Sequence, residues 1–380
     1  MIIASSADER ENARRRLPRA LFDYIDGGSY DEVTLGANVA EIRKIALRQR
    51  VMRDVSSLKT GVEVFGRSLD FPVALGPVGF AGMFARRGEA QAARAAEAAG
   101  VPFTLSTVGI CPIEEVRAGV KAPIWFQLYM IRDRGYMESL LGRAAELGTR
   151  TLVFTVDLPV TGARYRDVRS GFSASLPLAQ QIGRALNVAT KPSWLYDVWL
   201  SGRPHHFGNI VAAVPEGQAG DFAGWIHRNF DPTVTWADID WVRQRWSGEI
   251  VIKGVLDVDD AKSARAAGAD GVVVSNHGGR QLDGAPASIR ALPPIVDAVG
   301  TDLTILMDGG VRTGLDVLKA LSLGARAVLL GRAWAYALAS GGQAGVLTML
   351  QRMKSELQVA MALTGLSDVA DANPDLIARL

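Results

Sequence analysis

A histidine and an arginine separated by two glycines form the part of this chain with the clearest chemical potential. His277 and Arg280 lie in the run Ser275–Gly284, which follows the β-branched run Gly271–Val274. Such an apolar run is typical of a buried parallel strand, so both side chains are expected at its carboxyl end. Imidazole can accept a proton near neutral pH, and guanidinium can bind a carboxylate through two parallel hydrogen bonds. His277 alone would indicate only a polar loop, but the combination favours a catalytic base next to an anion-binding group.

Composition indicates a globular protein with a large core. The chain has 380 residues, of which 48% are hydrophobic and 22% charged, which suits one large α/β barrel or two ordinary domains. A net charge of +2 without a block of lysine and arginine gives no reason to expect a nucleic-acid partner. The single cysteine, Cys111, excludes an intramolecular disulfide and suits a reducing compartment. No signal peptide or transmembrane run is recognisable, so we expect a cytoplasmic location, with a peripheral membrane contact left open.

Eight strand-then-helix units follow one another from about residue 71, which predicts an α/β fold, the (β/α)8 or TIM barrel. The alternative, an open doubly wound sheet, would have fewer units and a glycine-rich first turn, but Gly76–Gly79 lacks the GxGxxG pattern. The predicted strands are Pro72–Leu75, Phe103–Ser106, Ile124–Leu128, Thr151–Val156, Ile250–Lys253, Gly271–Ser275, Leu303–Met307 and Ala327–Leu330. The predicted helices are Gly88–Ala99, Ile113–Ala118, Arg134–Leu147, Trp236–Trp246, Val258–Ala267, Ile289–Val299, Thr313–Leu323 and Gly345–Ala362.

Two segments lie outside this repeat. Residues 1–70 have helical patterns over Leu17–Asp26 and Val33–Arg43, and we interpret them as an N-terminal lid on the barrel of residues 71–380. After the fourth strand, an insertion of about residues 160–235 is much longer than a usual loop. Its tryptophans, mixed with arginine and lysine, suit a bilayer interface, whereas composition alone favours an insertion folded back on the barrel. Its aromatic and large apolar residues are Trp194, Leu195, Tyr196, Val198, Trp199, Leu200, Phe207, Phe222, Trp225 and Ile226.

Polar residues or glycines follow nearly every predicted strand. Any one of them could be a structural cap, but active sites of barrels form at these strand ends, and buried polar groups need partners. Their convergence predicts a bound polar cofactor, and the glycine and arginine after the last two strands predict a phosphate site. The residues, in strand order, are Pro77, Val78 and Gly79; Ser106 and Thr107; Gln127 and Tyr129; Thr155 and Asp157; Lys253; His277 and Arg280; Asp308 to Arg312; and Gly331 and Arg332.

These motifs resemble those of the FMN-dependent L-2-hydroxy-acid oxidase and dehydrogenase family. The resemblance is carried, in the family order, by the runs Phe22–Gly28, Phe126–Tyr129, Thr155–Asp157, Ser275–Gly284 and Asp308–Arg312. Within the family, the chain is most similar to the bacterial, membrane-associated, quinone-linked members that oxidise L-lactate. That similarity is carried by Met1-Ile2-Ile3, Cys111–Glu115 and Arg203-Pro204-His205.

The resemblance implies a role for each matching residue. His277 would be the catalytic base that takes the α-hydroxyl proton, and Asp157 would orient and stabilise its imidazolium. The substrate carboxylate and hydroxyl would be bound by Tyr24, Tyr129, Arg164 and Arg280. FMN would be bound by Pro77, Val78, Gly79, Ser106, Gln127, Thr155 and Lys253 around its ring and ribityl chain, and by Asp308, Gly309, Gly310, Val311, Arg312, Gly331 and Arg332 around its phosphate. No metal site is predicted.

The resemblance further implies oxidation of L-lactate to pyruvate, with electrons passed to a membrane quinone. We expect a peripheral protein on the cytoplasmic face of the inner membrane, which contacts the membrane through about residues 175–230. We also expect the protein to form a homo-oligomer. Gly79 and Val108 suggest spare room, so a dehydrogenase of another L-2-hydroxy acid, such as mandelate or glycolate, stays open, as does an oxidase that uses oxygen. A third alternative is a non-redox barrel that binds a phosphate-containing ligand.

Overall fold

The computed structural model describes residues 2–172, 176–211 and 222–378. The segment before the barrel contains three helices and a hairpin: α1 (Ser6–Arg16), α2 (Arg19–Asp26), α3 (Val33–Lys44), β1 (Val62–Val64) and β2 (Arg67–Leu69). The two helices predicted here are confirmed to within two residues. Helix α1 was not predicted because it is polar; Ser5 caps it by accepting a hydrogen bond from the Asp8 amide, and its buried face packs on the last helix of the chain.

The predicted barrel is confirmed. Eight parallel strands form one sheet in which the second to the eighth pair in chain order, and the eighth pairs back with the first. One isolated bridge between Leu75 and Phe103 joins the first barrel strand to the residue before the second, so the barrel is nearly closed. The strands are β3 (Val73–Leu75), β4 (Thr104–Ser106), β5 (Trp125–Leu128), β6 (Thr151–Thr155), β7 (Glu249–Val255), β8 (Gly271–Val274), β9 (Thr304–Met307) and β10 (Ala327–Leu330).

Apolar side chains fill the interior of the barrel. Alternate strand residues point inward because side chains alternate along a strand. The buried interior cluster consists of Ala74, Trp125, Val153, Val251, Val273, Leu306, Ala327 and Leu329, with Val62, Val64 and Leu69 of the hairpin. Phe65 of the hairpin packs beside Trp125 and against Gly271, the first residue of β8. The hairpin therefore covers the amino end of the barrel and leaves the carboxyl end for a site.

Helices surround the strands: α4 (Gly88–Ala98), α5 (Ile113–Ala118), α6 (Arg134–Glu146), α7 (Tyr165–Arg169), α8 (Leu178–Ala189), α9 (Pro192–Trp194), α10 (Phe222–Asn229), α11 (Ala237–Arg243), α12 (Val258–Ala266), α13 (Ser288–Val299), α14 (Gly314–Ser322) and α15 (Arg332–Thr364). Most predicted helices are confirmed to within one residue. The helix predicted over Trp236–Trp246 is shorter, and the one predicted over Gly345–Ala362 is the second part of α15, which is broken at Gly341 and Gly342.

One part of the insertion after β6 is buried against the barrel, and another part is exposed. Trp194, Phe207 and Trp225 are buried, so this part of it folds back on the barrel. In contrast, α8 has no buried residue and exposes Leu178, Ile182 and Leu186 at 73%, 54% and 64%. Tyr196, Trp199 and Leu200, in a π-helical turn after α9, are also exposed. The Phe222 side chain and residues 173–175 and 212–221 of the insertion lie outside the described residues. Within the described ranges, no helix is long and apolar enough to span a membrane.

Candidate active site

A large cavity opens at the carboxyl ends of the barrel strands. It encloses about 1060 Å³ of empty space, counting its open mouth. The predicted site residues all line this cavity except Ser106, Gln127, Thr155 and Asp157. The first three are buried on β4, β5 and β6, and Asp157 follows β6 and reaches the cavity through His277. The convergence predicted from the strand ends is therefore present.

His277 and Asp157 form a partly buried hydrogen-bonded pair. Their Nδ1 and Oδ1 atoms are 2.8 Å apart, although 120 residues separate the two in the chain. His277 has a φ of 56°, in the left-handed region, and the glycines that follow it share that conformation. Asp157 also lies tight against Gly254, because a Cβ at that glycine would be 2.5 Å from the Asp157 Cβ. The irregularity at Gly254 within β7 and the turn after β8 therefore fix the pair.

Burial and neighbouring charges keep His277 neutral. Burial lowers the pKa of His277 below its ordinary 6.5, and the positive charges of Lys253 and Arg164 act in the same direction. The Asp157 carboxylate opposes this shift without cancelling it. Burial acts to raise the pKa of Asp157, but His277 and Lys253 outweigh it and the pKa is lowered. A neutral ring beside an ionised carboxylate must donate Nδ1–H to Asp157, which leaves the Nε2 lone pair free to accept a proton.

Lys253 forms a second buried charge centre at the end of β7. Its Nζ lies 3.0 Å from the Asp308 carboxylate and donates a hydrogen bond to the Ser275 hydroxyl. Burial acts to lower the pKa of Lys253, but Asp308 and Asp157 outweigh it and raise the pKa, so the side chain is charged. Ser275 also accepts a hydrogen bond from the His277 amide. The sequence predicted Lys253 and Asp308 separately and gave no sign that they pair.

The cavity holds two guanidinium groups beside two tyrosines. Burial and the charge of Arg280 lower the pKa of Arg164 to about 10, so Arg164 is cationic near neutral pH. The Arg280 guanidinium lies over the Tyr24 ring at 4.7 Å. Burial raises the pKa of both Tyr24 and Tyr129, which keeps their phenols protonated as hydrogen-bond donors. Two cations and two phenols on one wall can bind a small carboxylate.

Arg332 is more constrained than the sequence suggested. Its guanidinium donates to the carbonyl oxygens of Ile25, Gly27 and Gly278 at 2.8–2.9 Å. Burial lowers the pKa of Arg332 to about 9. The Arg312 guanidinium, by contrast, donates only to the Val311 carbonyl among the hydrogen bonds of the described residues. It follows the turn at Gly309 and Gly310, whose φ angles are 92° and 88°.

Several buried polar atoms at the carboxyl end of the barrel have no protein partner among the described residues. They include Gln127 Nε2, Thr155 Oγ1, Asp157 Oδ2 and Asp308 Oδ1. The other amide atom of Gln127 accepts a hydrogen bond from Ser106, so the orientation of the amide is fixed. Buried polar atoms without partners are costly, and such a group indicates a place where a ligand supplies the missing hydrogen bonds.

Sequence reasoning missed part of the apolar wall. Leu158, Thr161, Ile226 and Phe230 line the cavity, and the last three come from the insertion. Phe230 packs on the Tyr129 ring with 4.8 Å between centroids. The only sequence signal was the aromatic content of the insertion, which gives no register relative to the barrel.

The space beside Gly79 is filled, although the sequence suggested spare room there. A Cβ at Gly79 would lie 2.8 Å from Val108 Cγ2 and 3.2 Å from the Tyr24 hydroxyl. The missing side chain at position 79 therefore makes room for Val108 and Tyr24 and does not by itself enlarge the cavity.

Known proteins match this chain over nearly its whole length. Residues 13–379 match the family model described as FMN-dependent dehydrogenase. The chain is 57% identical over 380 residues to an L-lactate dehydrogenase of Caulobacter vibrioides, covering 100% of this chain and 98% of that protein. It is 56% identical over 382 residues to an L-lactate dehydrogenase of Stenotrophomonas maltophilia, covering 100% of both.

Solved structures share the fold over the same length. The crystal structure of the monotopic membrane protein (S)-mandelate dehydrogenase has a TM-score of 0.93 at 33% identity and covers 100% of both chains. A mandelate oxidase with (S)-4-hydroxymandelic acid has a TM-score of 0.84 at 38% identity, covering 99% of this chain and 98% of the other. A full-length family match, relatives of this identity and a shared barrel together establish that the chain belongs to the FMN-dependent dehydrogenase family.

Proposed function

We propose that this protein oxidises L-lactate to pyruvate with FMN as its cofactor. The observation that carries the proposal is a neutral, carboxylate-bound His277 in the same cavity as the Arg164 and Arg280 guanidiniums. A base beside an anion-binding pair suits the oxidation of a 2-hydroxy acid. The choice of lactate is supported by the L-lactate dehydrogenases that are 56–57% identical to this chain.

The donors at the barrel mouth fit FMN, the cofactor of this family. The unpaired Gln127 amide and Thr155 hydroxyl match the hydrogen-bonding edge of an isoalloxazine ring, and charged Lys253 suits a ring that gains negative charge on reduction. The glycine turn at Gly309 and the Arg312 guanidinium match a phosphate. When bound, FMN would supply the acceptor for the α-hydrogen and the two electrons that leave the substrate.

The protein's own groups then have separate tasks. Arg164 and Arg280 bind the carboxylate of the substrate, and Tyr24 and Tyr129 donate hydrogen bonds to its oxygens. His277 Nε2 accepts the proton of the α-hydroxyl, because Nδ1 is already bonded to Asp157. Asp157 stabilises the imidazolium that results. Residues 1–70 act as a lid that brings Tyr24 to the cavity and excludes water.

The role of Asp157 leads to a prediction about pH. Since the carboxylate raises the pKa of His277, Asp157→Asn is expected to lower that pKa further and to move the acidic limb of the kcat/KM profile to lower pH. We expect kcat/KM on its plateau to fall about 10- to 100-fold because the imidazolium loses its partner. Profiles of flavin reduction with L-lactate would measure both effects. Asp260→Asn, at an exposed position on α12, is the control; an acidic limb that moves to higher pH in the Asp157 variant would contradict the role.

The substrate is tested by anaerobic mixing with L-lactate, D-lactate, glycolate and (S)-mandelate. We expect kcat/KM to be highest for L-lactate, because Ile226, Phe230 and Val108 line a wall without space beside Gly79. Faster bleaching of the flavin by (S)-mandelate than by L-lactate would instead indicate that the protein is a dehydrogenase of a larger 2-hydroxy acid. Reoxidation of the reduced enzyme by a short-chain quinone and by oxygen then compares the two acceptors, and faster reaction with oxygen would select an oxidase.

The insertion supports a further part of the proposal, which is a peripheral contact with the inner membrane and a quinone as the electron acceptor. Leu178, Ile182 and Leu186 are spaced by four residues and form one exposed apolar stripe on α8. Exposed Trp199 and Tyr196 follow nearby in the chain. Apolar stripes with flanking aromatic rings suit the boundary between headgroups and acyl chains. The cytoplasmic face is the expected side.

The stripe gives a direct prediction. The triple variant Leu178→Gln, Ile182→Gln, Leu186→Gln is expected to lose most of its sedimentation with phosphatidylglycerol–phosphatidylethanolamine vesicles. Each substitution removes an apolar side chain that the membrane would cover, and full burial of such a side chain contributes about 1.5–3 kcal/mol to binding. Its reduction of a soluble dye by L-lactate should not change. The matched control changes Val359 and Leu363 to Gln, which are equally exposed on α15. Undiminished sedimentation of the triple variant would count against the membrane contact.

A further inference from the structure

We propose that Asp26 is a positioning residue of the active site, which holds the end of α2 so that Tyr24 and Arg280 face the substrate. The inference rests on the proposed function and adds to it a residue that does not line the cavity. Asp26 is the last residue of α2, two positions after Tyr24. It was part of a sequence motif but had no assigned role.

Asp26 is the centre of a buried network that joins four parts of the chain. Its carboxylate, 4% exposed, accepts two hydrogen bonds from Arg10 of α1 and one from Arg166 of α7 at 2.7 Å. Tyr336 of α15 donates the fourth, also at 2.7 Å. These donors hold the pKa of Asp26 at about 2 in spite of its burial, so the group is ionised throughout the working pH range.

The backbone around Asp26 is held by the arginines of the site. Arg280 Nη1 donates to the carbonyl oxygens of Tyr24 and Gly27, and Arg332 donates to those of Ile25 and Gly27. The carbonyl groups at the end of a helix normally need such partners. The end of α2 and the two guanidiniums therefore orient one another, and a shift of one must displace the other.

This arrangement divides the Arg280 guanidinium into two parts. Nη1 donates to the α2 carbonyls, whereas no backbone carbonyl of the described residues accepts a hydrogen bond from Nε or Nη2. Those two N–H groups form the pair that can bind a carboxylate side-on. Because Tyr24 lies under the same guanidinium, the position of the α2 end determines both contacts of the substrate.

A buried carboxylate elsewhere in the same N-terminal segment offers a matched comparison. Glu9 of α1 is 2% exposed and pairs with Arg352 of α15 at 3.0 Å. It ties the segment to the same long helix, but its side-chain partner among the described residues, Arg352, does not line the cavity. A role in stability alone predicts similar consequences for Asp26→Asn and Glu9→Gln, whereas the positioning role separates them.

The experiment measures carboxylate binding to the FMN-loaded enzyme. The Kd of oxalate is read from the change in the flavin spectrum, and KM and kcat are measured with L-lactate. For Asp26→Asn we expect the oxalate Kd and the lactate KM to rise about tenfold while kcat changes about threefold at most, the pattern of lost binding to both ground and transition states. Glu9→Gln should lower Tm, because it weakens a buried ion pair. It should leave the oxalate Kd and the lactate KM within about twofold, because Glu9 shares no hydrogen-bond partner with the groups that bind the carboxylate. Tyr336→Phe, a milder change that removes one donor to Asp26, should raise Kd about two- to threefold.

A double-variant cycle tests whether Asp26 acts through Tyr24. Asp26→Asn should raise the oxalate Kd less in a Tyr24→Phe background than in the wild type, because the contact it positions is already absent. An unchanged oxalate Kd in both Asp26→Asn and Tyr336→Phe, or an equal rise in Glu9→Gln, would overturn the proposal. Oxalate binding does not depend on turnover, so absence of reduction by L-lactate in the wild type would instead contradict the proposed function.

Discussion

His277→Gln is expected to bind FMN normally and to lose reduction by L-lactate. Glutamine cannot accept the α-hydroxyl proton at neutral pH, and general-base catalysis contributes about 10²- to 10⁴-fold to a rate. We therefore expect the rate of anaerobic flavin bleaching to fall by about three orders of magnitude or more, since the lost base acts with Asp157 as a unit. The flavin content and its visible spectrum should match those of the wild type.

The control for this variant is a histidine outside the cavity. His205 hydrogen-bonds to the Trp199 carbonyl in the insertion, and His205→Gln should be reduced by L-lactate at the wild-type rate. If the His277 variant were bleached within a factor of a few of the wild-type rate, another group would have to be the base.

Arg280→Lys is the second variant with a large expected effect. Lysine keeps the charge but has no planar fork, so it cannot hold the α2 carbonyls and a carboxylate at the same time. Breaking a buried charged contact costs about 2–5 kcal/mol, which corresponds to a fall in kcat/KM for L-lactate of about 30- to several thousand-fold. The rise in KM should exceed the fall in kcat if the fork mainly binds the substrate.

A guanidinium with a similar backbone contact away from the site serves as the control. Arg326 donates to the Glu63 carbonyl on the exposed side of the hairpin, and Arg326→Lys should leave kcat/KM unchanged. Wild-type KM in the Arg280 variant would show that the carboxylate is bound elsewhere, with Arg164 as the next candidate.

Local patterns in the sequence were sufficient to predict the barrel. Each strand is a short run of apolar residues between turn residues, and this signal depends on neighbours in the chain; Ala327–Leu330 was predicted with its observed bounds. Helix α1 was missed because its burial depends on a distant partner, with Glu9 paired to Arg352 of α15. A polar helix of this kind has no apolar stripe that sequence periodicity can detect.

The site could be predicted as a set of residues but not as a network. Because active sites of barrels form at strand ends, His277, Lys253 and Asp308 were predicted to converge, and all three line one cavity. It could not reveal that Lys253 pairs with Asp308, because pairing depends on side-chain directions that the strand register alone does not fix. The hydrogen bonds from Arg332 to backbone carbonyls could not be predicted either, because every residue has a carbonyl group and residue type does not show which one accepts.

The most direct test of the central claim is an anaerobic titration of the purified wild-type protein with L-lactate, followed by flavin absorbance and by pyruvate formed. We expect bleaching of the bound FMN with one pyruvate per flavin reduced, no bleaching by D-lactate, and a reduction rate that rises with pH through a pKa below 6.5, because His277 must be neutral. A protein that binds FMN but keeps its oxidised spectrum in the presence of L-lactate would contradict the account.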